Sequence, residues 1–136
     1  MTDCMICRIV NREAHAHVIY EDEDAMAFLF DIEPATRGHS LIVPKKHFVD
    51  IFDIDPALLG KLAILCKKVA EKMQMALGAE GINLAHNSGS VAGQEVLHFH
   101  IHVVPRKRRD ELVEVRPPKM EISREELDDL AATLKL

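Results

Sequence analysis

The chain has 136 residues, with 17 lysines and arginines against 22 aspartates and glutamates, which gives a formal charge of −5. This length is in the common range of single domains, ~100–150 residues, so we expect one domain over residues 1–136. No apolar run approaches the ~18 residues of a membrane span, and no secretory signal is visible, so we expect a cytoplasmic protein without a membrane partner. The mild acidity disfavours broad nucleic-acid binding. The unusual feature is the presence of eight histidines beside three cysteines.

The first half of the chain predicts a short helix and three strands. The helix is expected over residues 4–11. Two short apolar segments, 17–20 and 25–30, flank the acidic turn EDED and predict a hairpin. A third strand is predicted over 39–43, ending before Pro44, because proline cannot donate to a sheet ladder.

The second half predicts a long helix, two strands and a short helix. Asp55 suits the N-cap and Pro56 the first helical position, and apolar residues then recur at spacings of three and four as far as Gly78. Strands are expected over 82–87 and about 96–104. The sequence SREE forms a capping box that opens a short C-terminal helix. The pattern indicates a mixed α+β fold.

Three histidines alternate along the last predicted strand, at His98, His100 and His102. Side chains in a strand alternate between faces, so the three imidazoles should lie on one face, with apolar residues behind them. Three interpretations are open: a solvated polar face, metal chelation by the whole row, or nucleophilic catalysis. A neutral imidazole attacks phosphorus well near neutral pH and departs readily afterwards.

The loop before this strand, Asn87-Ser88-Gly89-Ser90-Val91-Ala92-Gly93-Gln94, contains two glycines, small residues and two side-chain amides. Such a loop lets backbone N–H groups surround an anion. Alone it is equally consistent with an ordinary turn. Next to the histidine row, it indicates a phosphate site beside a nucleophile.

Two cysteines near the N-terminus, Cys4 and Cys7, have the Cys-x₂-Cys spacing of a structural zinc knuckle, with thiol redox chemistry as the alternative. Two ligands cannot complete a tetrahedron, so further ligands are required. Cys66, within the predicted long helix, is interpreted as a buried apolar residue. His86 is interpreted as structural, pointing away from the loop.

The segments NSGSVAGQEVLHFHIHVVP and FDIEPATRGHSLIVPKKH resemble the histidine triad family of nucleotide hydrolases and transferases. The resemblance runs from about residue 4 to 105, which would form the catalytic core, with 106–136 as a C-terminal extension. It implies a homodimer of α+β subunits. Each subunit would have a five-stranded antiparallel sheet, one long helix and short N- and C-terminal helices.

The resemblance assigns roles to individual histidines. His100 would attack the α-phosphate of a nucleoside phosphoramidate or a related phosphoester or anhydride, giving a nucleotidyl-histidine that water hydrolyses. His102 would hold a phosphate oxygen and His39 would support the nucleophile. The candidate nucleotide-binding residues, for a purine nucleotide of the adenosine monophosphate type, are Asp31, Ile32, Asn87, Gly93, Gln94, Glu95 and His102.

By the same resemblance, structural zinc would be held by Cys4, Cys7, His47 and His98, and no motif requires Mg²⁺. Glu95 stands where the phosphoramidase branch often has serine, so the preference for a leaving group stays open. Two alternatives remain, a dinucleoside polyphosphate hydrolase and a nucleotide-binding regulatory module with little catalysis.

Overall fold

A computed structural model describes residues 3–110, 112 and 119–136. Its helices and strands follow the predicted order closely. They are α1 (Met5–Val10), β1 (Val18–Glu21), β2 (Ala25–Leu29), β3 (Ser40–Pro44), α2 (Pro56–Leu77), β4 (Gly81–Ala85), β5 (Ile101–Arg106) and α3 (Arg124–Leu134). A single 3₁₀ turn, Ser90–Ala92, lies in the loop between β4 and β5.

The strands form one antiparallel sheet in the order β1-β2-β3-β5-β4. In the register of the sheet, His102 pairs with Leu41 of β3 on one side and with Ala85 of β4 on the other. The predicted α+β fold, with a five-stranded antiparallel sheet, one long helix and two short ones, is confirmed. β5 lies inside the sheet, so the histidine strand rests on a rigid support.

The long helix α2 begins and ends where the sequence indicates. The Asp55 carboxylate accepts a hydrogen bond from the Leu58 amide at 3.0 Å, and Gly78 ends the helix with a φ of +66°, which favours glycine. The buried side of α2, including Leu62, Cys66 and Val69, covers one face of the sheet. Cys66 is therefore a core residue, as predicted.

A smaller apolar cluster occupies the opposite face. It joins Ile6 of α1 to Met26 and Phe28 of β2 and to Leu41 and Val43 of β3. The short N-terminal helix therefore packs on the face that α2 leaves open.

The last strand begins later than predicted, at Ile101 instead of near residue 96. Hydrogen bonds outside the sheet ladder satisfy polar groups of the preceding segment. The Phe99 amide donates to the Phe48 carbonyl at 2.7 Å, and His98 Nε2 lies 2.9 Å from the Pro44 carbonyl. His98 and His100 therefore precede the ladder, and only His102 of the three lies within it.

At the C-terminus, the predicted capping box is present. The Ser123 hydroxyl accepts a hydrogen bond from the Glu126 amide at 3.2 Å, where α3 begins. Across residues 3–110, 112 and 119–136, no helix combines the length and the apolar character that crossing a membrane requires.

Candidate functional site

Along β5 and the segment before it, side chains alternate between the two faces of the sheet, so the apolar residues and the histidines lie on opposite faces. Phe99 and Val103 are buried in the α2 core, with Ile101 packed against it. Leu41, which pairs with His102, belongs to the cluster on the opposite face. The three histidines consequently lie on the face away from α2.

His100 has a fixed ring orientation. Its Nδ1 lies 2.7 Å from the carbonyl oxygen of His98. A carbonyl only accepts, so Nδ1 carries the proton, and Nε2 of the neutral ring keeps its lone pair. Burial lowers the pKa of His100, which favours this neutral form. His100 is thus prepared as a nucleophile through Nε2.

His39 and His102 form a directed pair. The Ala35 amide donates to His39 Nδ1 at 2.9 Å, so the proton of neutral His39 lies on Nε2. That Nε2 lies 2.8 Å from His102 Nδ1 and donates to it, which places the proton of neutral His102 on its own Nε2. Burial, together with the neighbouring His100, His39 and His86, lowers the pKa of His102 to about 4.

Phe30 packs beside this pair, although it was not among the predicted site residues. Its ring centroid lies 4.8 Å from that of His39 and 5.8 Å from that of His102. The next two residues, Asp31 and Ile32, are exposed on the turn after β2. Phe30 therefore connects the predicted nucleoside-binding turn to the histidines; an aromatic residue directly before that turn was the available signal.

The loop between β4 and β5 is shaped by Gln94 and Gly93. Buried Gln94 accepts from the Gly89 amide at 2.8 Å and donates to the carbonyls of Val49 and Val96 at 2.6 and 3.2 Å. Its amide thus braces the loop from inside.

Gly93 has a φ of +95°, and a Cβ there would lie 3.3 Å from the end of the Asn87 amide. The exposed Asn87 amide lies across this turn, and in the orientation that satisfies both of its atoms the NH₂ group donates to the carbonyls of Ala92 at 3.3 Å and His86 at 3.2 Å. Glycine therefore allows the two ends of the loop to approach each other closely.

Glu95, directly after Gln94, is exposed. It lines a cavity of about 490 Å³ together with Cys4 and His47. The structure therefore brings Glu95 toward the candidate metal centre.

The four predicted metal ligands meet between α1, the segment after β3 and the segment before β5. Cys7 Sγ lies 3.2 Å from His47 Nδ1 and 3.5 Å from His98 Nδ1, and Cys4 Sγ lies 3.4 Å from His98 Nδ1. The two Nδ1 atoms are 3.1 Å apart, and all four donor atoms lie within 4.8 Å of one another.

This donor set fits zinc. A tetrahedral zinc with nitrogen at ~2.0–2.1 Å and sulfur at ~2.3 Å has edges of roughly 3.3–3.8 Å, and these donor-to-donor distances lie near that range. His98 Nε2 is engaged with the Pro44 carbonyl, so the lone pair of its neutral ring is on Nδ1, inside the cluster. His98 is turned to this cluster while His100 and His102 are not part of it, which argues against chelation by the whole row.

Comparison with known proteins gives a consistent result. The HIT domain family model matches residues 11–109. A HIT-like protein of Methanocaldococcus jannaschii is 43% identical over 107 residues, covering 79% of this chain and 81% of that protein. An adenylylsulfatase of Arabidopsis thaliana is 37% identical over 111 residues, covering 79% of this chain and 54% of that protein.

The crystal structure of a zinc-bound histidine triad family protein from Mycobacterium smegmatis has 41% sequence identity and a TM-score of 0.79, covering 98% of this chain and 96% of that one. The family resemblance carried by the histidine and loop segments is thus confirmed over most of the chain. The chain belongs to the HIT domain family, and it has the Cys4, Cys7, His47 and His98 cluster of a zinc site.

Proposed function

We propose that the chain is a nucleotide hydrolase that uses His100 as its nucleophile. The observation that carries the proposal is the bond from His100 Nδ1 to the His98 carbonyl, which leaves the lone pair on Nε2. The proposed substrates are nucleoside 5′-phosphoramidates and related phosphoesters or anhydrides. A purine nucleoside monophosphate is the part they share.

In the first step, His100 Nε2 attacks the α-phosphorus. A nitrogen–phosphorus bond forms, the bond from phosphorus to the leaving group breaks, and the leaving group departs with its electron pair and takes up a proton. In the second step, water attacks the phosphorus, loses a proton, and releases the nucleoside monophosphate and free His100. No motif in the chain assigns Mg²⁺ a part in either step.

His102 and His39 support both steps. The directed pair puts an N–H on His102 Nε2, which would donate to a non-bridging oxygen of the phosphorus. His39 acts by holding His102 in that tautomer. Asn87, Gly93 and Gln94 would shape the phosphate-binding loop, and Asp31 and Ile32 would contact the nucleoside.

We propose zinc as the structural metal of the cluster. Cys4 and Cys7 would bind it as thiolates and His47 and His98 through Nδ1. Four protein ligands fill a tetrahedron, so the metal would link the N-terminus to the segment that carries His100 and would leave no position for a reacting water.

We further propose a homodimer in the cytoplasm. In the part of the chain that the structure describes, β4 is an edge strand of the sheet, and Leu84 within it is 57% exposed, so this edge offers backbone groups and an apolar side chain to a second copy. Sedimentation analysis at micromolar concentration tests this proposal; a monomer there would refute it. The cytoplasm is reducing and preserves the three free cysteines.

The test is hydrolysis of three substrates that share adenosine monophosphate: adenosine 5′-phosphoramidate, adenylyl sulfate and a diadenosine polyphosphate. Adenylyl sulfate is included because the Arabidopsis relative is an adenylylsulfatase. We expect turnover of at least one, and an adenylyl adduct on His100 in rapidly acid-quenched protein. His100→Ala should reduce turnover by at least ~10³-fold.

Lys67→Ala is the control, because this exposed lysine pairs with Glu71 on α2, the helix that covers the face of the sheet opposite the histidines. It should leave turnover unchanged. Full activity in His100→Ala would refute the assignment of the nucleophile. Binding of adenosine monophosphate without turnover of any substrate would favour the regulatory module.

A further inference from the structure

His86 directly follows β4 and packs its ring on Phe99. The two ring centroids are 4.2 Å apart, with an interplanar angle of 26°. His86 Nδ1 lies 2.9 Å from the carbonyl oxygen of His100, and Nε2 lies 2.6 Å from the Ser88 hydroxyl. Both ring nitrogens therefore have partners next to the proposed nucleophile.

The direction of each hydrogen bond in this group follows from chemistry. The His100 carbonyl can only accept, so His86 Nδ1 donates. The Ile51 amide donates to Ser88 Oγ at 2.9 Å, which leaves the hydroxyl hydrogen of Ser88 to be donated to His86 Nε2. Each group thus donates to the next: Ile51 to Ser88, Ser88 to His86, and His86 to the backbone carbonyl of His100.

The bond to His100 replaces a missing strand partner. The sheet ladder begins at Ile101, and the last pair between β4 and β5 is Ala85 with His102. The carbonyl of His100 lies just outside that ladder and is bound by the His86 side chain. The His100 ring is fixed by the His98 carbonyl, and its backbone is fixed by His86.

We propose that His86 is a positioning residue for His100. It holds the His100 carbonyl and connects it through Ser88 to the segment between β3 and α2. This proposal rests on the proposed function, in which His100 is the nucleophile. It assigns a role in orientation and no contact with the reacting atoms.

The connected segment also makes two other bonds to the site. The Phe48 carbonyl accepts from the Phe99 amide at 2.7 Å, and the Val49 carbonyl accepts from Gln94 Nε2 at 2.6 Å. The segment therefore bonds both to the residue before the nucleophile and to the loop. A displacement of His100 should slow the chemical step more than it weakens binding, since misplacement by ~1 Å can cost about 10²-fold in rate.

The experiment compares His86→Phe with His86→Asn. Phenylalanine keeps an aromatic ring to stack on Phe99 and loses both hydrogen bonds, whereas the asparagine amide can donate from near the position of Nδ1. We expect His86→Phe to lower kcat by about 10- to 100-fold with KM changed by less than about 3-fold. His86→Asn should recover at least about a third of the wild-type kcat.

Ser88→Ala is the second variant, because it removes the hydroxyl between Ile51 and His86 and leaves the stacking of His86 on Phe99 unchanged. It should lower kcat by about 3- to 10-fold, with a melting temperature near that of the wild type. It keeps the proposal testable if His86→Phe does not fold. Lys67→Ala again provides the control.

A readout that is independent of turnover separates this proposal from the proposed function. The ¹³C shift of the His100 carbonyl should change in His86→Phe and stay near the wild-type value in His86→Asn. If the wild type hydrolyses none of the three substrates, the proposed function fails while the carbonyl shift still tests the contact. Wild-type kcat in His86→Phe, or equal losses in His86→Phe and His86→Asn, would overturn the positioning role.

Discussion

His39 Nε2 lies 2.8 Å from His102 Nδ1, and the Ala35 amide on the other side of the His39 ring determines which of the two imidazoles donates. A backbone amide before β3 thus sets the tautomer of a side chain in β5, and among the described residues no carboxylate hydrogen-bonds to either histidine. The neutral pair leaves one N–H on His102, whose ring centroid lies 5.1 Å from that of His100.

This relationship predicts the tautomers of three histidines. Nitrogen-15 spectra of the imidazole rings near neutral pH should show the proton on Nε2 for His39 and His102 and on Nδ1 for His100. Replacing His39 with phenylalanine should remove the preference at His102, because its Nδ1 loses its donor. A His102 ring that remains in the Nε2–H form in that variant would contradict the directed pair.

The pKa of His102 predicts how the stability of the protein depends on pH. Burial, with the neighbouring His100, His39 and His86, lowers the pKa of His102 to about 4, whereas an unfolded histidine has a pKa of ~6.5. Between these values the unfolded chain binds a proton that the folded chain does not. The contribution of neutral His102 is therefore complete above about pH 6.5 and is lost as the pH falls toward about 4.

The measurement is urea unfolding at several pH values across that range, for the wild type and His102→Asn. The free energy of unfolding should fall less steeply with acidification in the variant. The metal ligands are the same in both proteins, so their protonation changes the free energy of unfolding in both, and the difference in slope reports on His102. Equal slopes would show that His102 does not titrate in this way.

Zinc content tests the metal centre. We expect about one equivalent of zinc per chain in the wild type and less than about half in Cys4→Ser, because a tetrahedral site needs all four ligands. The variant should also lose about 2 kcal/mol or more of stability, a fall in Tm of roughly 5 °C or more. Cys66→Ala is the control, since this thiol is buried in the α2 core and should leave the zinc content unchanged.

Two glycines should respond to alanine in opposite directions. Gly38, next to His39, has a φ of +99°, and a Cβ there would lie 2.6 Å from Leu77 Cδ1. Strain and overpacking together predict a loss of about 2–4 kcal/mol. Gly60 lies exposed in α2 with nothing within 4 Å of a Cβ, so alanine there should stabilise the helix by about 1 kcal/mol. Chemical denaturation of both variants checks the signs.

The parts of the fold that depend on local chemistry could be predicted from the sequence. The Asp55 cap, the following proline and Gly78 act within their own neighbourhood, so the bounds of α2 were accurate. The start of β5 was placed about five residues too early, because it depends on remote partners. Alternation of apolar and polar residues continues through His98 and His100, but Pro44, Phe48 and His86 bind the polar groups there.

The site was predictable to the extent that its residues are adjacent in sequence or belong to a recognisable motif. The Cys4 and Cys7 spacing indicated a metal, whereas His47 and His98 lie 40 and 91 residues from Cys7 and were assigned only through the family resemblance. Phe30 and His86 act through contacts with distant segments. The position of Phe30 before the predicted nucleoside-binding turn was a signal, whereas the neighbours of His86 along the chain did not indicate its contacts.

The alternation along β5 and the segment before it has a consequence for how the chain tolerates change. Phe99 and Val103 stabilise the core, and His100 and His102, between them, carry the proposed chemistry. A substitution at one of the core positions should affect stability first, and a substitution at one of the two histidines should affect activity first. An insertion or deletion of a single residue within 97–102 would exchange every side chain between the two faces, so stability and activity should be lost together. This short stretch therefore has almost no freedom in length.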